Sequence, residues 1–146
     1  MTAKEFLEQY GDAVRVINRL QTEYDNQQKL IDSVRSPLGG DGSPHGGGVS
    51  KDAENKATKL ADKSIELMDA QIEAIRIRQR VFGVINQIPG VRGDVLYERY
   101  INLRGWNEVA KAVGYSKSRV NDFHNEALDM IEIYNGRIKV RTQSDT

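Results

Sequence analysis

The sequence contains no cysteine and only two histidines, His45 and His124, which lie far apart. The absence of cysteine excludes disulfides, thiolate zinc sites and a cysteine nucleophile. Two distant histidines also provide too few groups for a histidine-based metal site or a catalytic triad. We therefore expect no metal and no cofactor. We also do not expect an enzyme, because no carboxylate lies beside a group that would give it a catalytic role.

Long apolar runs and net charge are also absent. No stretch approaches the ~18 consecutive apolar residues of a membrane-spanning helix, and the charged N-terminal segment lacks the apolar run of a signal peptide. The 21 basic residues balance the 21 acidic ones, so the formal net charge is +0. A neutral chain has no global cationic field to attract nucleic acid or a membrane. These features predict a soluble intracellular protein.

Aromatic residues make up only 7% of the chain and hydrophobic residues 38%. This composition is lean for a compact core but suits long helices that each bury one stripe, so the predicted class is all-α. A capping box at Thr2 and Glu5 predicts a first helix to residue 35, and the apolar spacing predicts a second over 51–88. We expect the two to pack as an antiparallel, coiled-coil-like hairpin.

Each predicted helix has one apolar stripe. In the first, Gln27 weakens a seam formed by Phe6, Tyr10, Ala13, Ile17, Leu20, Tyr24, Ile31 and Val34. In the second, the predicted stripe is Ala57, Leu60, Ala61, Ile65, Met68, Ile72, Ile75, Phe82 and Ile85. Neither stripe is wide enough to form a core alone, so each helix requires a partner.

Residues 36–50, between the two helices, contain six of the 13 glycines and two of the three prolines. A phosphate-binding loop would place Gly-Lys-Ser/Thr after such glycines and a strand before them, and neither is present. We therefore interpret this segment as a flexible linker between the helices.

The C-terminal third, residues 89–135, has the spacing of a helix-turn-helix domain. Residues 92–103 predict a short helix that buries its apolar side chains, namely Val95, Leu96, Tyr100 and Ile101. In the helix that follows, Val109 and Val113 share one face, and the small Ala110 permits a close helix crossing. Trp106 at its start is interpreted as a core anchor, with stacking on a base as the alternative.

The turn between the two motif helices is predicted at Gly114, whose freedom to adopt a positive φ ends the first helix sharply. Ser116 is a suitable N-cap for the second helix, in which Val120 and Phe123 form the buried face. An ordinary helical hairpin uses the same rules, but all of these residues occur together in register. We therefore favour a DNA-reading motif.

Beyond the motif, the second helix is predicted to continue to about Tyr134, and Gly136 closes it. The remaining residues, 136–146, are predicted to form a basic flexible tail. An acidic stripe on this last helix is either a solvated face or an interface for a basic partner such as RNA polymerase or a second protomer. It consists of Glu126, Asp129 and Glu132.

The stretch from Leu96 to Ile131 resembles region 4 of bacterial sigma factors. It shares their first helix, the turn before an Ala-containing helix, the Gly-x-Ser turn and the closing Ala-Leu. The whole chain resembles small phage-encoded late-gene activators of the RinA-like and ArpU-like group. It also resembles a phage protein family with a similar Ser-Pro-Leu-Gly-Gly-Asp-Gly linker. The resemblance implies a DNA-binding transcription regulator in the bacterial cytoplasm, whose helix from Lys117 enters the major groove.

The resemblance also implies which residues contact DNA: Ser116, Lys117, Ser118, Arg119, Asn121 and Asp122. Arg119 suits guanine or a phosphate, and Asn121 suits the N6/N7 edge of adenine. Ser116 and the helix N-terminus suit a phosphate. Asp122 departs from the basic or amide character usual at its position, and it would either accept from cytosine N4 or repel phosphate.

The partners implied are double-stranded DNA, host RNA polymerase and a second copy of the chain, with a dimer favoured. Residues 106–125 contain three cations and two anions, so a single copy should bind DNA weakly. The long helices are therefore expected to oligomerise or to dock on polymerase. Two alternatives are a phage DNA-packaging adaptor like a terminase small subunit, and a protein-interaction module that binds polymerase without reading DNA.

Overall fold

The computed structural model describes residues 1–35 and 51–141, and most of these residues are helical. The elements in chain order are α1 (Ala3–Arg35), α2 (Lys51–Ile85), α3 (Gly90–Leu96), a π-helical turn (Tyr97–Ile101), α4 (Trp106–Val113), α5 (Lys117–Asp129), β1 (Ile131–Tyr134) and β2 (Arg137–Val140). None of these helices combines the length and apolarity needed to cross a membrane. The helical content agrees with the predicted class, whereas the two strands were not predicted.

Two predictions concern residues outside the described ranges. The flexible linker over 36–50 and the last five residues of the basic tail, 142–146, both lie there. The apolar position Val34 belongs to α1, but its side chain also lies outside the description.

The first turn of α1 contains the predicted capping box. The hydroxyl Oγ1 of Thr2 accepts from the backbone N–H of Glu5 at 3.1 Å, and the carboxylate Oε2 of Glu5 accepts from the backbone N–H of Thr2 at 2.8 Å. Two N–H groups that the helix leaves unpaired are thus satisfied reciprocally. The predicted start of α1 is confirmed.

One compact unit comprises residues 1–14 together with the chain from residue 73 onward. Its main core combines the start of α1, the end of α2, the π-helical turn, α5 and the strands. The buried members are Phe6, Leu7, Val81, Val84, Ile85, Ile88, Leu96, Tyr100, Ile101, Ala127, Ile131 and Val140. Fully burying one such aliphatic side chain contributes about 1.5–3 kcal/mol, so this cluster is the main source of stability in the unit.

The second unit comprises residues 15–72, to which both α1 and α2 contribute. Gln27 Nε2 donates to the carbonyl oxygen of Lys56 at 3.1 Å, and Lys63 Nζ lies 3.6 Å from Glu23 Oε2. Gln27, predicted to weaken the seam, is buried with its amide paired, which removes most of the cost of its burial.

Of the apolar stripe predicted on α2, Ile85 is buried, but most of the other members are exposed. The predicted residues Ile65, Met68, Ile72 and Ile75 are 60%, 57%, 47% and 57% exposed. The helix instead buries a stripe that recurs at intervals of three and seven residues, namely Leu67, Ala74, Val81 and Val84, together with Ile85 at its end. Both stripes satisfy helical spacing, so periodicity alone could not choose between them.

The prediction for residues 131–140 is wrong. Helix α5 ends at Asp129 rather than Tyr134, and an antiparallel hairpin follows in place of helix and tail. Its two-residue turn, Asn135-Gly136, has φ values of 49° and 74°. Two positive φ values characterise the type I′ turn, for which Asn-Gly is the preferred pair because its twist matches that of the strands. Val140, predicted to be in a loose tail, is buried opposite Ile131.

Candidate nucleic-acid interface

Helices α4 and α5 are joined by a three-residue turn whose geometry follows from two residues, Gly114 and Ser116. Gly114 has φ 77°, and the N–H groups of Gly114 and Tyr115 both donate to the carbonyl of Ala110, at 3.0 and 3.2 Å. A left-handed residue ends a helix in this way, and glycine adopts it without steric cost. The hydroxyl of Ser116 then accepts from the N–H of Arg119 at 3.3 Å and caps α5.

A small apolar core holds the two helices together against α3. Val109 and Val120 are fully buried, Ala110 and Phe123 nearly so, and Val95 of α3 completes the cluster. Of the other predicted core residues, Trp106 and Val113 are half-buried against this cluster, whereas Gly114 is exposed in the turn. The orientation of α5 is therefore fixed by packing on its inner face.

The outer face of α5 presents the residues that the sequence analysis assigned to DNA. All six are exposed: Ser116, Lys117, Ser118, Arg119, Asn121 and Asp122. The guanidinium of Arg119 lies over the ring of Phe123 at 4.7 Å from its centroid, and Tyr115 contacts the same ring edge-on at 5.0 Å. Stacking uses the planar face of the guanidinium, so its N–H donors stay available to a ligand.

The charges around the start of α5 favour an anionic ligand. Lys111, Lys117 and Arg119 form no ion pair with any other residue in the described part of the chain. Further along the helix, the carboxylate of Glu126 lies 2.7 Å from Nε of Arg92 and is neutralised. Unpaired cations near the helix N-terminus combine with its dipole to favour negative groups such as phosphates.

The acidic stripe predicted on one helix is not present. Glu126 is paired with Arg92, and Glu132 lies on β1, where its carboxylate is 3.0 Å from Nε of Arg141. Arg141 also donates to the backbone carbonyl of Asp129, the last residue of α5. The prediction failed because α5 ends three residues before Glu132.

A buried tyrosine–histidine pair connects the π-helical turn to the inner side of α5. The hydroxyl of Tyr100 lies 2.7 Å from Nε2 of His124. Burial lowers the pKa of His124 below 6.5, as do Lys4 and Arg99 to a lesser extent, against a weaker opposing hydrogen bond from Asn125. A neutral imidazole can accept the tyrosine proton at Nε2.

The same burial raises the pKa of Tyr100 to about 12, with a further contribution from Glu8 and an opposing one from Arg99. The edge of Trp106 meets His124 at 4.8 Å, and the guanidinium of Arg99 covers the indole at 4.4 Å. Trp106 is thus engaged by protein groups, in keeping with its interpretation as an anchor. This cluster was not predicted, because nothing in the spacing of the sequence links residue 100 to residue 124.

The hairpin adds a second polar surface to the unit that contains α5. Ile131, Ile133, Ile138 and Val140 form its inner face, so the alternating residues point outward. Tyr134 is 78% exposed, and Arg137 opposite it and Lys139 are also exposed. This surface was not predicted, although Asn-Gly between two segments of alternating apolar and polar residues is the strongest short-range signal for a hairpin.

Two further observations bear on function. The described residues contain no group of three or more His, Cys, Asp or Glu side chains that could hold a metal ion. No protein-family model, curated protein or solved structure matches the chain.

Proposed function

We propose that the chain is a sequence-specific, double-stranded DNA-binding regulator of transcription in which α4 and α5 form a helix-turn-helix. The observation that carries this proposal is the division of α5 into two faces. Its inner face is fixed by Val120 and Phe123 in a buried cluster, and its first two turns expose polar side chains, of which Lys117 and Arg119 form no ion pair with another described residue. A rigid helix with such a face fits the major groove of B-DNA.

The exposed residues have complementary roles in this proposal. Arg119 donates to guanine O6 and N7, and Asn121 bridges adenine N6 and N7. Ser116, Lys117 and Ser118 contact phosphates beside the helix N-terminus and set the register. Asp122 accepts from cytosine N4, a role that also rejects bases lacking a donor there.

The basic side of the hairpin supplements these contacts. Arg137 and Lys139 are exposed and form no ion pair with other residues in the described ranges. We assign them to phosphates, because contacts to the DNA backbone add affinity without sequence preference. They replace the flexible basic tail as the second source of positive charge.

The resemblance to sigma factor region 4 and to phage late-gene activators extends the proposal to gene regulation. The motif of one copy contains few unpaired cations, so useful affinity requires a second copy or contact with RNA polymerase. The long helices α1 and α2 provide the surface for either contact. We assign them this role as an antiparallel helical hairpin.

The experiment that tests the proposal is selection of the full chain against a pool of random duplex DNA, read out by sequencing. We expect one motif to be enriched. Replacing Arg119 or Asn121 by alanine should then cost about 1–3 kcal/mol each on the selected duplex. Arg19→Ala and Asn26→Ala, at exposed positions of α1 outside the two motif helices, are matched controls that should enrich the same motif as wild type.

The salt dependence of binding separates the alternatives. A DNA reader loses affinity steeply as salt rises, because each phosphate contact releases about one counterion. A module that binds only polymerase would enrich no motif and show no such dependence. A packaging adaptor would bind DNA as a large ring, which light scattering distinguishes from a dimer.

A further inference from the structure

Helix α2 has two apolar stripes, and only one of them is buried within the chain. The exposed stripe consists of Ile65, Met68, Ile72 and Ile75, which are between 47% and 60% exposed. All four lie on one continuous helix at spacings of three, four and three residues, which place them on a single face. Four large aliphatic side chains in one row on a surface mark an interaction site.

The rest of the chain offers little to cover this exposed stripe. Residues 36–50 contain only Leu38 and Val49 as large aliphatic side chains, and residues 142–146 contain none. Covering four residues of this size takes a comparable number of apolar groups, arranged at the same spacing. A second α2 helix provides such a set.

The charges beside the stripe specify the direction of that second helix. The first half is flanked by exposed carboxylates at Asp62, Glu66 and Asp69. The second half contains exposed guanidinium groups at Arg78 and Arg80, and its one carboxylate, Glu73, is already paired with Arg76 at 3.9 Å. Lys63, the cation within the acidic half, is already paired with Glu23 of α1. A parallel copy would bring like charges together, whereas an antiparallel copy places each acidic half opposite a basic half.

The apolar residues agree with the antiparallel arrangement. The four positions are symmetric about residue 70. An antiparallel second helix therefore places its Ile75 opposite Ile65 and its Ile72 opposite Met68. Each layer then pairs a residue at heptad position a (Ile65 or Ile72) with one at heptad position d (Met68 or Ile75), as in antiparallel coiled coils. The surface is thereby self-complementary, which a two-fold symmetric dimer requires.

We propose that the exposed stripe on α2 is a homodimer interface at which α2 of a second copy packs antiparallel, with Ile65 against Ile75 and Met68 against Ile72. This inference extends the proposed function, which needs a second copy for affinity. The tests below use no DNA and leave α5 unchanged, so either proposal can fail without the other.

The first test is the oligomeric state of the full chain, measured by sedimentation over a wide range of concentration. Wild type should be a dimer in equilibrium with monomer. Ile72→Lys and Met68→Lys should each be monomeric with unchanged circular dichroism, since both side chains are exposed within one copy. Leu30→Lys, at a 51% exposed position of α1, is the matched control and should remain dimeric. A monomeric wild type, dimeric lysine variants, or a monomeric control would each refute the interface.

The second test determines whether the two α2 helices of the dimer are antiparallel or parallel. The chain has no native cysteine, so introduced cysteines are its only thiols. Under oxidation, a mixture of Ile65→Cys and Ile75→Cys chains should form the mixed disulfide in preference to either homodisulfide. A parallel dimer would instead link Ile65→Cys to itself and Ile75→Cys to itself. Preferential homodisulfides would therefore overturn the antiparallel arrangement.

Discussion

Replacement of glycine by alanine should stabilise the chain at one position and destabilise it at two others. At Gly83, within α2, an added Cβ would meet nothing within 4 Å. Alanine loses less backbone entropy than glycine on folding, so Gly83→Ala should stabilise by roughly 0.5–1 kcal/mol. At Gly114 the space is equally open, but φ is 77°. A residue with a Cβ pays about 1–2 kcal/mol for that conformation, so Gly114→Ala should be destabilising despite the entropy gain.

Gly93 in α3 differs again, because its backbone lies against the segment that follows α2. An added Cβ would be 2.1 Å from the carbonyl oxygen of Ile88, whereas real contacts of this kind stay beyond 3.0 Å. The start of α3 would therefore have to move by roughly 1 Å, which corresponds to an overpacking cost of about 1–3 kcal/mol. Gly93→Ala should be the most destabilising of the three.

Urea unfolding followed by circular dichroism measures all three variants against wild type. The expected order of stability is Gly83→Ala, wild type, Gly114→Ala and then Gly93→Ala. If Gly114→Ala were as stable as Gly83→Ala, residue 114 would not be left-handed in solution and the α4–α5 turn would be wrong. A tolerated Gly93→Ala would refute the close approach of α3 to Ile88.

The remaining predictions concern the cap of α5 and the buried pair. Ser116→Ala should cost about 1 kcal/mol through loss of the N-cap, whereas Ser118→Ala, at an exposed position two residues further on, should cost little in the same unfolding assay. Because the pKa of His124 is lowered in the folded chain, the unfolded chain takes up that proton more readily than the folded chain as the pH falls below 6.5. Stability should therefore decline from about pH 6.5 downward, and His124→Gln should remove that component of the slope. Because the pKa of Tyr100 is raised to about 12, stability should also fall as the pH rises from 10 to about 12, but not in Tyr100→Phe.

Local backbone requirements were predictable from the sequence. The capping box at Thr2 and Glu5, the positive φ of Gly114 and the cap at Ser116 each depend on a few neighbouring residues. Such features follow from the conformational freedom and hydrogen-bonding capacity of single side chains. The same reasoning identified the apolar residues between α4 and α5, since a short helix offers only one face to bury.

Features that depend on distant parts of the chain were not predictable in this way. Two stripes on α2 fit a helix equally well, and only packing decided that Leu67 and Val81 face inward while Ile72 faces out. The pairing of Tyr100 with His124 joins elements far apart in sequence. The hairpin is a different case, because its sequence signal is local. Asn135-Gly136, flanked by alternating apolar and polar residues, favours a hairpin more strongly than the apolar spacing favours a longer helix.

The central claim is that the outer face of α5 reads duplex DNA. The most direct test compares the binding of Arg119→Ala and wild type to single-base-pair variants of the selected duplex. Wild type should discriminate by about 1–3 kcal/mol at a G·C pair, and Arg119→Ala should lose discrimination at that pair alone. Lys117→Ala should instead weaken binding to every variant equally and reduce the salt dependence by about one phosphate contact. If Arg119→Ala kept the full base preference of wild type, α5 would not be reading the base edges in the assigned way, and the account would be contradicted.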